Sequence, residues 1–350
     1  MDTTRRRITS TLLIGAAAAP VAGVALVGCS KDDGGSRSGS GASDAVPGPL
    51  PSPKSAPSKP VVYRARRDGI LPAGGGPADA AKLDDALGAA IAGAAGEATA
   101  IDGFRRLFSP RDVVGIKINA LAGKAMSARP EVVGRITRWL QEAGVAARQI
   151  VILERDEREL ARAGFPPNRS GDGVQVIGTD GDFEWRWRDW GPRSSRFPRI
   201  FVDDITALIN VGVLKDGGEA GVALGMKDWY GVIHNPQRCH DDGCHPFIAH
   251  LAAFPLIQDR LRLTIVDGLT GQCHGGPMYS PHWTWPYGGL LVSTDPVALD
   301  AIGRSVLEDR RKEVGLPTLA AEGRAPKWIA EAARIGLGEA DPARIAIVEV

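Results

Sequence analysis

The sequence predicts an α/β fold, with a mainly parallel sheet flanked by helices and with long loops that form the site. First, apolar strand-like runs alternate with helix-like runs along residues 60–350, a pattern typical of such sheets. Second, the strand–loop–helix–strand order of residues 112–153 favours parallel pairing with a right-handed crossover. Third, polar side chains follow several strands, at the edge of a parallel sheet where ligand sites form.

Each strand is predicted from a short apolar run, and each helix from its composition or from apolar residues three or four positions apart. Pro130 begins one helix, and Asp295 is an expected cap for the helix that starts at Pro296. In chain order, we expect strands at 61–65, 112–119, 149–153, 174–178, 200–202, 207–214, 261–267, 290–293 and 345–350. The helices are expected at 79–95, 101–108, 130–143, 222–230, 245–256, 296–309 and 326–334.

The first 29 residues predict an export signal outside the fold. An arginine run within Thr4–Thr9 resembles a twin-arginine signal, and an apolar stretch follows it. Leu26-Val27-Gly28-Cys29 then resembles a lipobox, in which Cys29 would carry the lipid. The alternatives are an ordinary secretory signal or an uncleaved anchor. The expected partners are therefore the twin-arginine export machinery and the membrane, with the protein tethered outside the cytoplasm.

Residues 30–59 form a Ser-, Gly- and Pro-rich segment that is too polar to fold and is predicted to be a disordered linker. The remainder, residues 60–350, is predicted to be a single α/β domain with its core at about 100–310. The 350-residue chain is 43% hydrophobic, which is enough for a sizeable core. The net charge of +1 and the lack of a basic patch argue against a nucleic-acid partner.

Polar residues at the ends of the predicted strands point to a ligand cleft. We predict that Lys117, Asn119 and Asp295 bind substrate, and that Lys215, Lys227 and Asp267 are catalytic. Ammonium groups beside Gly-rich turns suit a small anionic ligand, and a desolvated Lys can act as a base or nucleophile. For any one Lys the alternative is a salt bridge to a nearby Asp, and for Asp295 it is a purely structural helix cap.

All six His of the chain lie between His234 and His282, and three of its four Cys fall in the same window. His234, His240 and His245 are the predicted ligands of a divalent or redox metal such as zinc, iron or copper. For Cys239 and Cys244 the sequence leaves three hypotheses open: a disulfide, metal binding, or free thiols.

Six separated segments resemble the bacterial and archaeal family called domain of unknown function 362. They are Val113–Asn119, Pro130–Ile136, Leu208–Lys215, Gly221–Gly231, Ile265–Gly268 and Thr294–Asp300, in the family's order. Members typically place a His two positions after the Lys that ends the central strand, where this chain has Gly217. They also typically have Lys-Asn where this chain reads Lys227-Asp228. The ferredoxin-like cysteine sets of some relatives are not matched by the four Cys here.

These patterns lead to three hypotheses for function. The first is an exported, metal-dependent enzyme that carries out a redox reaction or an isomerisation on a small anionic substrate. The second is a lipoprotein that binds a ligand or metal without turnover, and the third is an electron-transfer partner. No nucleophile elbow, phosphate loop, dinucleotide fingerprint or zinc-protease helix appears in the sequence.

Overall fold

A ten-stranded, mostly parallel sheet forms the centre of the molecule. The structure is a computed structural model, and it describes residues 59–73 and 76–350. The predicted export signal, Cys29 and residues 30–58 of the predicted linker lie outside the described residues. The strands are β1 Val61–Arg66, β2 Val114–Ile118, β3 Ile150–Glu154, β4 Gln175–Gly178, β5 Arg188–Asp189, β6 Ser194–Ser195, β7 Ala207–Asp216, β8 Val222–Ala223, β9 Leu261–Gln272, β10 Thr284–Trp285, β11 Gly289–Ser293 and β12 Ala346–Glu349.

The helices lie between these strands, as the alternating pattern of the sequence predicts. They are α1 Ala80–Ala95, α2 Ala100–Leu107, α3 Pro130–Glu142, α4 Glu157–Ala163, α5 Arg199–Asp203, α6 Phe247–Ala252, α7 Pro255–Gln258, α8 Pro296–Glu313 and α9 Lys327–Arg334. Within the described ranges, no helix is both long and apolar enough to cross a membrane.

The main sheet has the strand order β12-β1-β11-β9-β7-β2-β3-β4, with β8 and β10 paired at the sides of β7 and β9. Of the eight strands in that order, β11 alone runs against its neighbours. The prediction of a mainly parallel α/β sheet is therefore confirmed. The carboxyl ends of β2, β3, β4 and β7 lie along one edge, because these four strands pair in parallel.

Hydrophobic cores cover both faces of the sheet, since successive side chains of a strand point to opposite faces. In β7, Leu208 and Leu214 belong to one core, whereas Ile209 and Val211 belong to the other. The first core includes buried residues of α6, α8 and α9, and the second includes those of α1, α2 and α3. The central strands are consequently buried along their whole length, and any polar residue in them is held in an apolar surrounding.

Two predicted elements are wrong in type. Residues 200–202 lie in the short helix α5 rather than in a strand, because three apolar residues are too few to distinguish the two periods. Residues 222–230 are not an α-helix. They begin as β8, which pairs with the end of β7, and continue into the 3₁₀ turn Met226–Val232. The predicted helix at 245–256 is divided into α6 and α7.

Candidate active site

A cavity of about 370 Å³ lies at the carboxyl ends of the parallel strands, where the sequence predicted a cleft. We call it the strand-end cavity. Its walls come from the loops after β2, β3 and β4, from the turn after β8, and from residues 236–240. The residues that line it are Lys117, Asn119, Leu121, Glu154, Arg155, Asp156, Glu159, Asp180, Ala223, Lys227, Asp228, Tyr230, Gly231, Pro236, Gln237, His240 and Pro277.

A buried ion pair lies at the inner wall of the strand-end cavity. Lys117 Nζ on β2 is 3.0 Å from Glu154 Oε2 at the end of β3, and it also donates to Ile118 O. Burial alone would lower the pKa of Lys117, but the carboxylates of Asp228 and Glu154 outweigh burial and raise the pKa. The Lys117 ammonium group is therefore charged, and it is already paired with Glu154 and hydrogen-bonded to Ile118 O.

A second chain of hydrogen bonds connects the loop after β2 to the turn after β8. Lys215 Nζ donates to Asn119 Oδ1 (2.9 Å) and to Met126 O (3.0 Å). Asn119 Nδ2 in turn donates to Asp228 Oδ1 (2.8 Å). The second oxygen of this carboxylate, Asp228 Oδ2, is buried and has no hydrogen-bond partner among the described residues. One oxygen of Asp228 is therefore fixed and the other is unoccupied.

Burial shifts two of these groups toward neutral pH. It raises the pKa of Asp228 to about 6, against the opposing effect of the Lys117 ammonium. It also lowers the pKa of Lys215 to about 8, although Asp228 partly restores it. A carboxyl group and an ammonium group with pKa values on either side of pH 7 are typical of sites that transfer protons.

Two further charged groups of the cavity have no partner of opposite charge within the part of the chain that the structure describes. Lys227 Nζ lies 5.6 Å from the centre of the Tyr230 ring and makes no ion pair. Burial lowers the pKa of Lys227. Glu159 on α4 is half-buried, and burial together with the nearby Glu154 and Asp156 carboxylates raises the pKa of Glu159.

The turn that carries Lys227 and Asp228 is fixed from behind by buried polar side chains. Asp300 on α8 accepts hydrogen bonds from Gly225 N (2.8 Å) and Met226 N (2.9 Å). Asn210 Nδ2 on β7 donates to Gly225 O at 2.7 Å. Both side chains are fully buried. The position of the Lys227–Asp228 pair therefore depends on α8 and β7.

The structure brings only some of the predicted site residues together. Lys117, Asn119, Lys227 and His240 line the strand-end cavity, and Lys215 contacts Asn119 directly. Asp267 and Asp295 do not line it. Asp267 is buried and accepts from Arg129 N and Leu269 N, both at 3.0 Å. Asp295 caps α8 by accepting from Val297 N and Ala298 N, which is the structural alternative that the sequence left open.

The predicted metal triad is not assembled by the structure. The ring of His234 packs edge-on against Phe183 (5.0 Å), whereas His240 Nδ1 lies 3.1 Å from Pro236 O. His245 Nδ1 is buried without a partner. Among the described residues, no three His, Cys, Asp or Glu side chains are grouped closely enough to hold a metal ion. An aromatic contact holds His234 and a backbone contact holds His240, and the predicted three-histidine ligand set is not formed among the described residues.

Cys239 and Cys244 are buried free thiols, and the structure has no disulfide between them. Burial raises the pKa of both thiols, which keeps them protonated. The backbone between them turns through positive φ angles at Asp242 (45°) and Gly243 (62°), and Cys244 itself has a φ of 64°. These residues build the wall around Tyr230, whose hydroxyl donates to Cys239 O at 2.6 Å.

Several residues of the site were not singled out from the sequence. Glu154 could have been found, because it is the polar residue directly after the predicted strand at 149–153. In the sequence, Asp228 stands out only as a departure from the Lys-Asn that is typical of the family. The sequence gives no comparable signal for Glu159 or Gly231, whose roles depend on the packing of α4 and of the turn after β8.

The fold and site define a class: an α/β protein with a polar cavity at the carboxyl ends of parallel strands. Within that class, the chain belongs to the family whose model is described as Domain of unknown function (DUF362) and matches residues 114–305. None of the curated proteins in the comparison matches the chain. A structural-genomics crystal structure of a Thermotoga maritima protein shares 10% identity and a TM-score of 0.40 over 68% of this chain. The chain spans 60% of that neighbour.

Proposed function

We propose that the protein is an enzyme that moves a proton on a small anionic substrate, as in an isomerisation. The observation that carries the proposal is the buried, unpartnered Oδ2 of Asp228, a residue that lines the strand-end cavity. With a pKa of about 6, the Asp228 carboxyl group is largely ionised at pH 7 and remains basic enough to accept a proton.

Asp228 is the proposed base, and Lys227 the proposed cation that binds the substrate's anionic group. Asp228 Oδ2 takes a proton from a carbon next to a carbonyl or carboxylate group, and the electron pair of the broken C–H bond moves onto the substrate oxygen. The Lys227 ammonium stabilises that negative charge. Return of the proton from Asp228 to a different carbon of the substrate completes the isomerisation and restores the carboxylate.

The neighbouring residues support these roles. Asn119 fixes Asp228 Oδ1 and leaves Oδ2 as the oxygen without a hydrogen-bond partner among the described residues. Lys215 holds Asn119 in turn and is a positioning residue in this scheme. Lys117 is already paired with Glu154, which leaves Lys227 to bind the anion. A cavity of about 370 Å³ admits a small molecule.

The proposal is tested by proton exchange in D₂O. The full-length protein would be incubated with two- to five-carbon 2-hydroxy, 2-oxo and amino acids, and the loss of the proton signal next to the carboxylate or carbonyl would be followed by ¹H NMR. We expect exchange with at least one acid, at least a hundredfold slower exchange in Asp228→Asn, and weaker acid binding in Lys227→Gln. Glu142→Gln, an exposed carboxylate outside the cavity, is the control. If no acid exchanges, or if Asp228→Asn exchanges normally, the enzyme proposal is wrong; binding without exchange would favour the ligand-binding alternative.

We also propose that the protein is exported by the twin-arginine route and tethered outside the cytoplasm by a lipid on Cys29. The order of arginine run, apolar stretch and Leu26-Val27-Gly28-Cys29 supports this proposal. The polar residues 30–59 would then act as the spacer between lipid and domain.

A further inference from the structure

The charged groups of the strand-end cavity can be matched with one another almost completely. Lys117 pairs with Glu154 at 3.0 Å, and Arg155 lies 3.7 Å from Asp180. Two other carboxylates are hydrogen-bonded: Asp228 Oδ1 accepts from Asn119, and Asp156 accepts from the first backbone N–H groups of α4. These contacts are made within the protein and require no ligand.

Two side chains remain, and their charges are opposite. Lys227 makes no ion pair among the described residues, and its ammonium lies beside the Tyr230 ring. Glu159 accepts no hydrogen bond and makes no ion pair in the same part of the chain, although its side chain lines the same cavity. The two do not pair with each other within 4.0 Å, although both contribute to one cavity of about 370 Å³.

Leaving a half-buried charge without a partner costs free energy, because the group loses water and gains no compensating contact. The cost at Glu159 is increased by the Glu154 and Asp156 carboxylates nearby. The Arg162 and Arg155 guanidinium groups offset it only in part, since the pKa of Glu159 remains raised. A ligand with one negative and one positive group would relieve both costs at once. A ligand with a negative group alone would satisfy Lys227 but would leave Glu159 unpaired.

We propose that the substrate of the strand-end cavity is a small zwitterion, such as an amino acid, whose anionic group binds Lys227 and whose ammonium group binds Glu159. The substrate class rests on the proton-transfer function proposed above, in which Lys227 already binds the anion. Glu159 is then the residue that determines specificity for a positively charged group. It makes no contribution to the proton transfer itself.

The inference is tested by calorimetric binding to the full-length protein, with probes that differ in one charge. The zwitterions are alanine, 3-aminopropanoate and 4-aminobutanoate, and their matched partners are propanoate, butanoate and butylamine. We expect one zwitterion to bind at least about tenfold more tightly than its matched carboxylate, as a charge-assisted hydrogen bond would give. Glu159→Gln should remove that tenfold preference and leave carboxylate binding unchanged, whereas Lys227→Gln should weaken both.

The controls separate this inference from the proposed function. Glu142→Gln should bind every probe as the wild type does, and thermal unfolding followed by circular dichroism should show that Glu159→Gln is folded. The inference is overturned if no zwitterion binds, if carboxylates bind as tightly as zwitterions, or if Glu159→Gln keeps the preference. If it fails while exchange in D₂O still requires Asp228, the proton-transfer function stands and only the ammonium subsite is lost. If no proton exchange is seen in D₂O, the proposed proton-transfer function is wrong, whichever probes bind.

Discussion

At Gly231 the backbone passes directly over the buried Lys117–Glu154 pair. A Cβ atom at this position would lie 2.3 Å from Glu154 Oε1 and 2.6 Å from Lys117 Cε. Neither side chain can move away easily, because Glu154 also accepts from Arg155 N at 2.7 Å and Lys117 donates to Ile118 O. The position therefore requires a glycine for space, not for an unusual backbone angle.

Gly231→Ala should lower the free energy of unfolding by about 1–3 kcal/mol, the usual cost of overpacking, and should weaken ligand binding. Gly134→Ala is a matched control, since it lies within α3 and a Cβ there has nothing within 4 Å. This control should be neutral or stabilising by about 0.5–1 kcal/mol, because Ala is the better helix former. Urea unfolding of both variants measures the difference. Equal stabilities would mean that the ion pair adapts and that the close approach has no consequence.

Single residues show how far the sequence could predict the site. Lys117 and Asn119 were found because they end a strongly apolar strand, where a polar residue stands out. The sequence does not indicate Asp228 and Glu159, because they matter through the lack of an ion-pair or hydrogen-bond partner in the folded protein. That property depends on packing between segments more than 60 residues apart, and no local pattern in the sequence reports it.

At the scale of elements, α8 and the turn after β8 act as one unit. Asp300 reaches from α8 to the backbone N–H groups of Gly225 and Met226, and burial raises its pKa to about 7 against the effect of those donors. The folded protein therefore holds a proton on Asp300 that the unfolded chain, with a pKa near 3.8, releases first. The stabilising contribution of this carboxyl group is full below about pH 4 and declines as the pH rises through about 7.

Asp300→Asn should remove this part of the pH dependence. The free energy of unfolding of the wild type, measured relative to that of the variant, should fall between pH 4 and pH 8. Urea unfolding at several pH values measures this difference. A constant difference across the pH range would show that Asp300 is ionised in the folded protein at every pH tested.

The predictions of secondary structure were wrong where a short apolar segment gives no indication of the strand with which it pairs. The run 222–230 resembles a helix in composition, yet β7 extends to Asp216 and pairs with β8, so the backbone of Val222 and Ala223 is used in a sheet. The helix prediction also missed how close Gly225 lies to the buried Asp300 and Thr264 side chains. Fully buried strands such as β2 and β7 were predicted well, because most of their residues are apolar.

For the whole molecule, the proposed lipid on Cys29 would place the strand-end cavity at a membrane surface. In cells that process lipoproteins, the wild type should incorporate a labelled fatty acid and sediment with membranes, because the acyl chain partitions into the bilayer. Cys29→Ala should do neither. Replacing the arginines of Thr4–Thr9 by Lys should keep the protein inside the cell. Unlabelled wild-type protein would contradict the lipoprotein reading, and unchanged export of the Lys variant would contradict the twin-arginine route.

The fold outside the family match also supports the site. Residues 114–305 contain the strands that form the cavity, but Arg324 lies beyond them and pairs with Asp216 at 3.0 Å. Trp328 is fully buried on α9 and donates to Ala220 O at 3.0 Å. The turn between β7 and β8 is thus anchored by the carboxyl-terminal region, which no motif in the sequence indicated.

The parallel pairing of β1 with β12 has a mechanical consequence. Val61 pairs with Ala346 and Arg64 with Glu349, so the start of one strand lies beside the start of the other. A force that pulls residue 59 away from residue 350 acts along both strands in opposite directions. The hydrogen bonds between them share such a load and break together, whereas an antiparallel pair would open one bond at a time. A domain pulled between residues 59 and 350 would therefore resist extension at its outermost strand.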